Sequence, residues 1–188
     1  MLDRRRTLDR SSATCTGGAH EVRISRDFRA PRDRVWRAWT HPSALVHWLG
    51  PSHCPAVLVD ADVREGGVWR ACLKWGGDQA VLWQSGRYLA VVPPERLEFT
   101  FAWEGSNHED GPGVETRVIV LLEELPDGGT RMHFQQNGLV SAESAVGHSA
   151  GWNSAFGRLA RLMTDSALPA DARACDEHFS DSSLSIRR

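Results

Sequence analysis

Over residues 21–28 apolar and polar positions alternate, with Val22, Ile24 and Phe28 facing one way and Glu21, Arg23, Ser25 and Asp27 the other. A period of two predicts a half-buried strand. The period then changes. Val35, Trp36 and Trp39 recur at helical spacing, and so do Leu45, Trp48 and Leu49, which predicts two short helices between Pro31 and Gly50. Pro31 suits a first helical position. Pro42 stops the first helix and biases His41 toward extended geometry. Ser43 reads as the N-cap of the second helix, and Gly50-Pro51 as its end. Helices this short draw their stability from packing an apolar face on something larger.

The rest of the chain reads as that larger element, a sheet. Strands are predicted over residues 56–63, 68–75, 82–92, 96–103, 114–124 and 130–136. Turn signals separate them at Glu65-Gly66-Gly67, Gly76-Gly77-Asp78, Pro93-Pro94 and Pro126-Asp127-Gly128-Gly129. In the third strand Trp69, Ala71, Leu73 and Trp75 form the more apolar set and are assigned inward, leaving Val68, Arg70, Cys72 and Lys74 outward. In the fifth, Leu97, Phe99, Phe101 and Trp103 alternate with Glu98, Thr100 and Ala102.

A long helix is predicted over residues 142–165, because Ala145, Val146, Ser149, Trp152, Phe156, Leu159 and Met163 recur every three or four positions. Its small residues, among them Gly147, Ala150, Gly151 and Ala155, either bring it close to a curved sheet or leave room beneath it. One strand, two helices, six strands and a long helix is not an alternating order. It implies an α+β fold, an antiparallel sheet with helices gathered on one side. Residues 1–19 and 167–188 are polar and aperiodic, so a disordered arm and tail are expected around a folded domain of residues 20–166.

The composition of the 188 residues, 41% hydrophobic and 24% charged, fits a globular protein. A net charge of −2 supplies no electrostatic footprint for nucleic acid or an anionic membrane. No apolar run is long enough for a membrane-spanning helix. Arg4-Arg5-Arg6 has no apolar stretch behind it, so no secretory signal is expected. The four cysteines form no C-x-x-C pair, and reduced thiols in a cytoplasmic protein are expected. Eight tryptophans point to large rigid apolar surfaces, in a core or around a cavity.

Candidate chemistry is sparse. His148 and Ser149 adjoin in sequence, but helical neighbours point about 100° apart. Cys54 follows His53 in a loop, and adjacency alone does not make a thiolate. No G-x-S-x-G, G-x-G-x-x-G, P-loop or H-E-x-x-H is present. His53, Cys54, Cys72 and His133 are the only plausible zinc donors and lie on separate elements. His108, Glu109 and Asp110 fall in a polar loop that reads as solvated. No catalytic residue, metal site or cofactor is assigned.

The stretch F-x-A-P-x-x-x-V-W-x-A-W-T-x-P-x-x-L-x-x-W-x-G-P, Phe28 to Pro51, resembles the SRPBCC, or START-like, superfamily. It is closest to the branch named after the activator of the ninety-kilodalton heat-shock chaperone ATPase. The resemblance continues through Asp62-Val63-Arg64-Glu65-Gly66-Gly67, Gly86, Pro93-Pro94-Glu95-Arg96-Leu97 and Gly151-Trp152, and covers residues 21–164. It implies a helix-grip fold, with about seven strands gripping the C-terminal helix around an apolar cavity. The cavity-lining candidates are Trp69, Trp83, Tyr88, Trp103, Gln136, Trp152 and Phe156. The leading functional reading is a non-catalytic carrier or sensor of a small hydrophobic molecule, a monomer or homodimer. One alternative is an enzyme of the aromatase, cyclase or hydrolase kind using the same cavity. Another is a protein-interaction module like the co-chaperone of the branch. That reading ranks lowest, because the resemblance includes no counterpart of the co-chaperone's separate N-terminal domain.

Overall fold

The computed structural model describes residues 20–76, 80–105 and 114–165. The expected arm and tail, the loop with His108, Glu109 and Asp110, and most of the turn after Gly76 lie outside these. Seven antiparallel strands form one curved sheet: β1 (His20–Phe28), β2 (Ala56–Ala61), β3 (Val68–Lys74), β4 (Val81–Val92), β5 (Arg96–Glu104), β6 (Glu115–Glu124) and β7 (Thr130–Leu139). Their order is β1-β7-β6-β5-β4-β3-β2. Strands β2 to β7 are a meander, and β1 closes on β7, so β1 and β2 occupy opposite edges. Helices α1 (Arg32–Thr40) and α2 (Pro42–Trp48) carry the chain between those edges, and α3 (Ala142–Thr164) packs on the sheet.

The predicted α+β helix-grip architecture is therefore present, with local corrections. His41 is extended, as Pro42 requires, but the second helix begins at Pro42 itself, and Ser43 lies inside it instead of capping it. Proline at a first helical position gives up an N–H that has no helical partner anyway. Strand β3 ends at Lys74, so alternation does not carry Trp75 inward; it is 41% exposed. Cys72, assigned outward, is buried on that outer side, in register between Leu58 and Trp83. Glu98, also on the outer side, is buried with its carboxylate between the Arg96 and Arg117 guanidinium groups.

The buried stripe of α3 is Ser144, His148, Trp152, Ala155, Phe156, Leu159 and Met163, and Val146 is 71% exposed. Counting back by four from Trp152 selects His148 and Ser144, so the stripe passes Val146 by. Ser141 caps the helix, its hydroxyl oxygen accepting from the Ser144 N–H at 3.0 Å.

At the centre of the core Trp39, Trp48, Phe134, Trp152 and Phe156 meet ring to ring. Centroids lie 4.6 Å apart for Trp39–Trp48 and for Phe134–Trp152, and 5.1 Å for Phe134–Phe156. The Trp48 indole donates to the Ala38 carbonyl at 2.8 Å, which ties α2 to α1. Gly86 lets the sheet close over Trp69, whose indole reaches across to the Thr100 carbonyl at 3.0 Å. A Cβ on Gly86 would stand 1.8 Å from that carbonyl oxygen and 2.6 Å from the indole nitrogen.

Candidate functional site

Between the first half of α3, the segment after α2 and strands β3 to β5 lies a cavity of about 470 Å³. Leu73, Leu82, Gln84, Phe101 and Trp103 form its floor. Residues 49–51, 53 and 54, with Trp75, form one wall, and Ser144, Gly147, His148, Ala150, Gly151, Trp152 and Ala155 form the roof. Gly147 and Gly151 lie along the roof, and a Cβ on either would meet nothing within 4 Å. Of the two outcomes for the small residues of α3, room beneath the helix is the one realised. Gly50, with φ of 81°, ends α2 in the left-handed region that glycine tolerates and turns the chain into the wall.

That wall is held from the roof. The Arg158 guanidinium donates to the carbonyls of His47 at 2.8 Å, of Leu49 and Gly50 at 3.0 Å and of Trp48 at 3.4 Å, where α2 ends. The negative end of the α2 dipole favours that cation. Burial first, and then Arg161, pull the Arg158 pKa below its usual value.

Polar groups run from β6 and β7 to the roof as one directed chain. Thr116 Oγ1 donates to the Phe101 carbonyl at 3.1 Å and accepts from Gln136 Nε2 at 2.9 Å. Gln136 Oε1 accepts from Trp152 Nε1 at 2.7 Å and from His148 Nδ1 at 3.1 Å. An amide oxygen only accepts, so His148 Nδ1 is the donor to Gln136, and Trp103 Nε1 lies 3.4 Å from Nε2. Gln136 is completely buried, so this network orients His148 and Trp152 from behind. Cys54, in the wall, is 2% exposed, and burial, followed by the nearby Cys72 thiol, pushes its pKa up. The thiol is therefore held in its protonated form.

The seven candidate lining residues separate. Trp103 and Trp152 line the cavity. Gln136 sits behind it. Trp69 and Tyr88 line a much smaller space of about 20 Å³ beside Trp39, room for about one water. Burial, and then the Asp62 carboxylate, push the Tyr88 phenol up. Phe156 is fully buried in the aromatic core and lines neither space. Trp83 lies on the outer face, its ring 3.8 Å below the Arg70 guanidinium, which pairs with Glu104 at 2.7 Å. Gln84, Ser144 and His148 are the polar lining residues that sequence reasoning missed. Parity with Tyr88 on β4, and i−4 spacing from Trp152 on α3, were the signals that mark them.

The candidate zinc donors are not brought together. His53 and Cys54 share the cavity wall, Cys72 lies on the outer face, and His133 contacts Ser25 at 2.9 Å. Among the described residues no three potential metal ligands gather. Among the same residues no helix is long and apolar enough to cross a membrane.

Solved structures resemble this arrangement. The protein CV1439 of Chromobacterium violaceum is 26% identical, with a TM-score of 0.65 over 76% of this chain and 96% of its own. The AHSA1 protein of Silicibacter pomeroyi is 24% identical, with a TM-score of 0.65 over 77% and 97%. CalU16 of Micromonospora echinospora is 26% identical, with a TM-score of 0.56 over 78% and 77%. No curated protein matches the sequence. The family profile described as Activator of Hsp90 ATPase homolog 1-like protein matches residues 29–164, the span that holds α1, α2, the meander and α3, and the chain belongs to that family.

Proposed function

We propose that this protein binds a small hydrophobic molecule in the cavity under α3 and acts as a carrier or sensor. The carrying observation is the cavity itself, about 470 Å³ bounded by Phe101, Trp103, Trp152 and aliphatic side chains. That volume suits a drug-sized ligand, and an apolar wall with few polar groups is the usual form of such a site. Two glycines in the roof support the reading, since each carries a helix-propensity cost of about 1 kcal/mol and keeps the space open.

The test is Gly151→Leu. Its side chain enters the open space, and leucine is the better helix former. Melting temperature is expected to hold or rise while saturable binding of the neutral probe N-phenylnaphthylamine, followed by tryptophan emission, weakens at least tenfold. Undiminished binding to a well-folded Gly151→Leu protein would remove the cavity from the function.

A further inference from the structure

The large cavity and the small space beside Trp39 lie end to end along the same three strands. On β5 the inward side chains Phe101 and Trp103 border the space of about 470 Å³, and Leu97 and Phe99 border the space of about 20 Å³. Strand β4 repeats the order, with Leu82 and Gln84 under the first and Tyr88 under the second. Strand β3 follows with Leu73 and Trp69. Among the described residues Leu49, at the end of α2, and Trp152, on α3, are the two that border both spaces. Beyond them the lining stays largely apolar, with Leu45, Val59 and Ala61.

The Trp152 indole stands between the two spaces and is fixed there. Its centroid is 6.1 Å from Phe101, which borders the larger, and 6.4 Å from Trp39, which borders the smaller. Phe134 packs on it at 4.6 Å and Phe156 stacks on it at 5.6 Å. Packing holds a ring in place, but a hydrogen bond also fixes its direction. Nε1 donates to Gln136 Oε1 at 2.7 Å, and Gln136 Nε2 is held in turn by Thr116 Oγ1 at 2.9 Å. Swinging the indole aside breaks that bond inside the core, where nothing replaces it cheaply. Leu49 is held as firmly, its carbonyl accepting from Arg158 at 3.0 Å and its N–H donating to the Leu45 carbonyl at 2.9 Å.

We propose that Trp152, oriented by Gln136, and Leu49 form the length stop of the ligand site. They divide one apolar chamber along β3 to β5 into a room for a guest and a remnant that holds about one water. The site therefore selects a compact apolar molecule over a long-chain one. The inference rests on the reading of the cavity as a ligand site and adds length selection to it.

A series of straight-chain alcohols, n-octanol, n-decanol, n-dodecanol and n-tetradecanol, tests the stop. Each displaces N-phenylnaphthylamine from the full chain and from Trp152→Leu, Leu49→Ala and Gln136→Met, after the Kd of the probe has been measured for each protein. An added methylene that finds apolar room tightens binding about fourfold. In the wild type that gain is expected to stop within the series, where the chain meets the indole. In Trp152→Leu and in Leu49→Ala it is expected to continue to n-tetradecanol, raising the preference for n-tetradecanol over n-octanol about tenfold or more above the wild-type preference. Leu49→Ala keeps the comparison available should Trp152→Leu fail to fold. Gln136→Met retains the ring but frees its direction, and its length profile is expected between the two. Parallel profiles in the wild type and the partition variants, or a wild-type gain that never stops, overturn the length stop and leave the cavity reading standing. A Gln136→Met profile identical to wild type overturns the orienting part of Gln136. Failure of N-phenylnaphthylamine and of every alcohol to saturate the wild type removes the ligand site, and the stop with it.

Discussion

Phe156→Ala tests where the core ends and the cavity begins. The ring is completely buried, with centroids 5.1 Å from Phe134, 5.6 Å from Trp152, 6.0 Å from Trp39 and 6.2 Å from Trp48. It borders neither open space. Truncation therefore loses the full transfer free energy and leaves a new hole among four rigid rings. Substitutions of this kind cost about 3–5 kcal/mol. The aromatic pairs, each contributing about 0.5–1.5 kcal/mol beyond burial, place the loss toward the upper end. For a chain of this size each kcal/mol lowers the melting temperature by about 2–4 °C. Urea unfolding of both proteins, with and without N-phenylnaphthylamine, supplies four free energies. At a hundredfold excess over Kd a ligand adds about 2.7 kcal/mol, and that increment is expected to be the same in both proteins. A loss near 1 kcal/mol together with a reduced increment would place the ring against the ligand and refute the packing assignment. Should the alanine variant fail to fold, Phe156→Leu, at roughly 2 kcal/mol from the carbons removed, carries the same comparison.

Gly86→Ala is expected to destabilise by about 1–3 kcal/mol or more in denaturant unfolding, because its Cβ lands 1.8 Å from the Thr100 carbonyl oxygen; a neutral result would mean that β4 and β5 separate freely there. Cys54 is expected to alkylate far more slowly at pH 8 in the native chain than in urea, since burial raises its pKa and blocks access; peptide mapping that finds equal rates would contradict this. Arg131 holds the Asp27 carboxyl, and Arg70 the Glu104 carboxyl, below the usual range. Their contribution is present above the unfolded carboxylate range, near pH 4, and is lost as pH falls through the lower folded values. Melting temperature is thus expected to drop on acidification, and less steeply in Glu104→Gln; an identical acid slope in the variant would discount that pair.

The architecture was legible because strands and helices impose different periods on where apolar residues fall. Proline and glycine marked most of the corners. Strand β4 shows where the reading gave way. Trp83 and Tyr88 both attracted assignment to the cavity, yet five positions of regular strand place them on opposite faces. Size and aromaticity outweighed parity, and parity was right: Tyr88 faces in and Trp83 lies under Arg70. The same bias toward large apolar residues passed over Gln84, whose partners on either side follow only from strand register. On α3 the choice of Val146 over His148 followed residue type, where the spacing from Trp152 favoured histidine. The cavity itself was not derivable from periodicity. Gly147 and Gly151 are compatible with close packing and with empty space alike, and only the position of the sheet decides between them.

The guanidinium of Arg158 gives the binding chamber a particular mechanics. One side chain of the roof helix grips four backbone carbonyls at the end of α2, so roof and wall are fastened to each other. A guest too bulky for the resting volume cannot gain height by lifting α3 alone, because the end of α2 must travel with it. Expansion is left to the rim, where His53 and Trp75 are exposed and their rings stand 4.9 Å apart. Arg158→Lys keeps the charge but replaces a planar fork by a single point of attachment, which unfastens that joint. The chamber is then free to dilate, and its size discrimination is expected to broaden even where the protein remains folded.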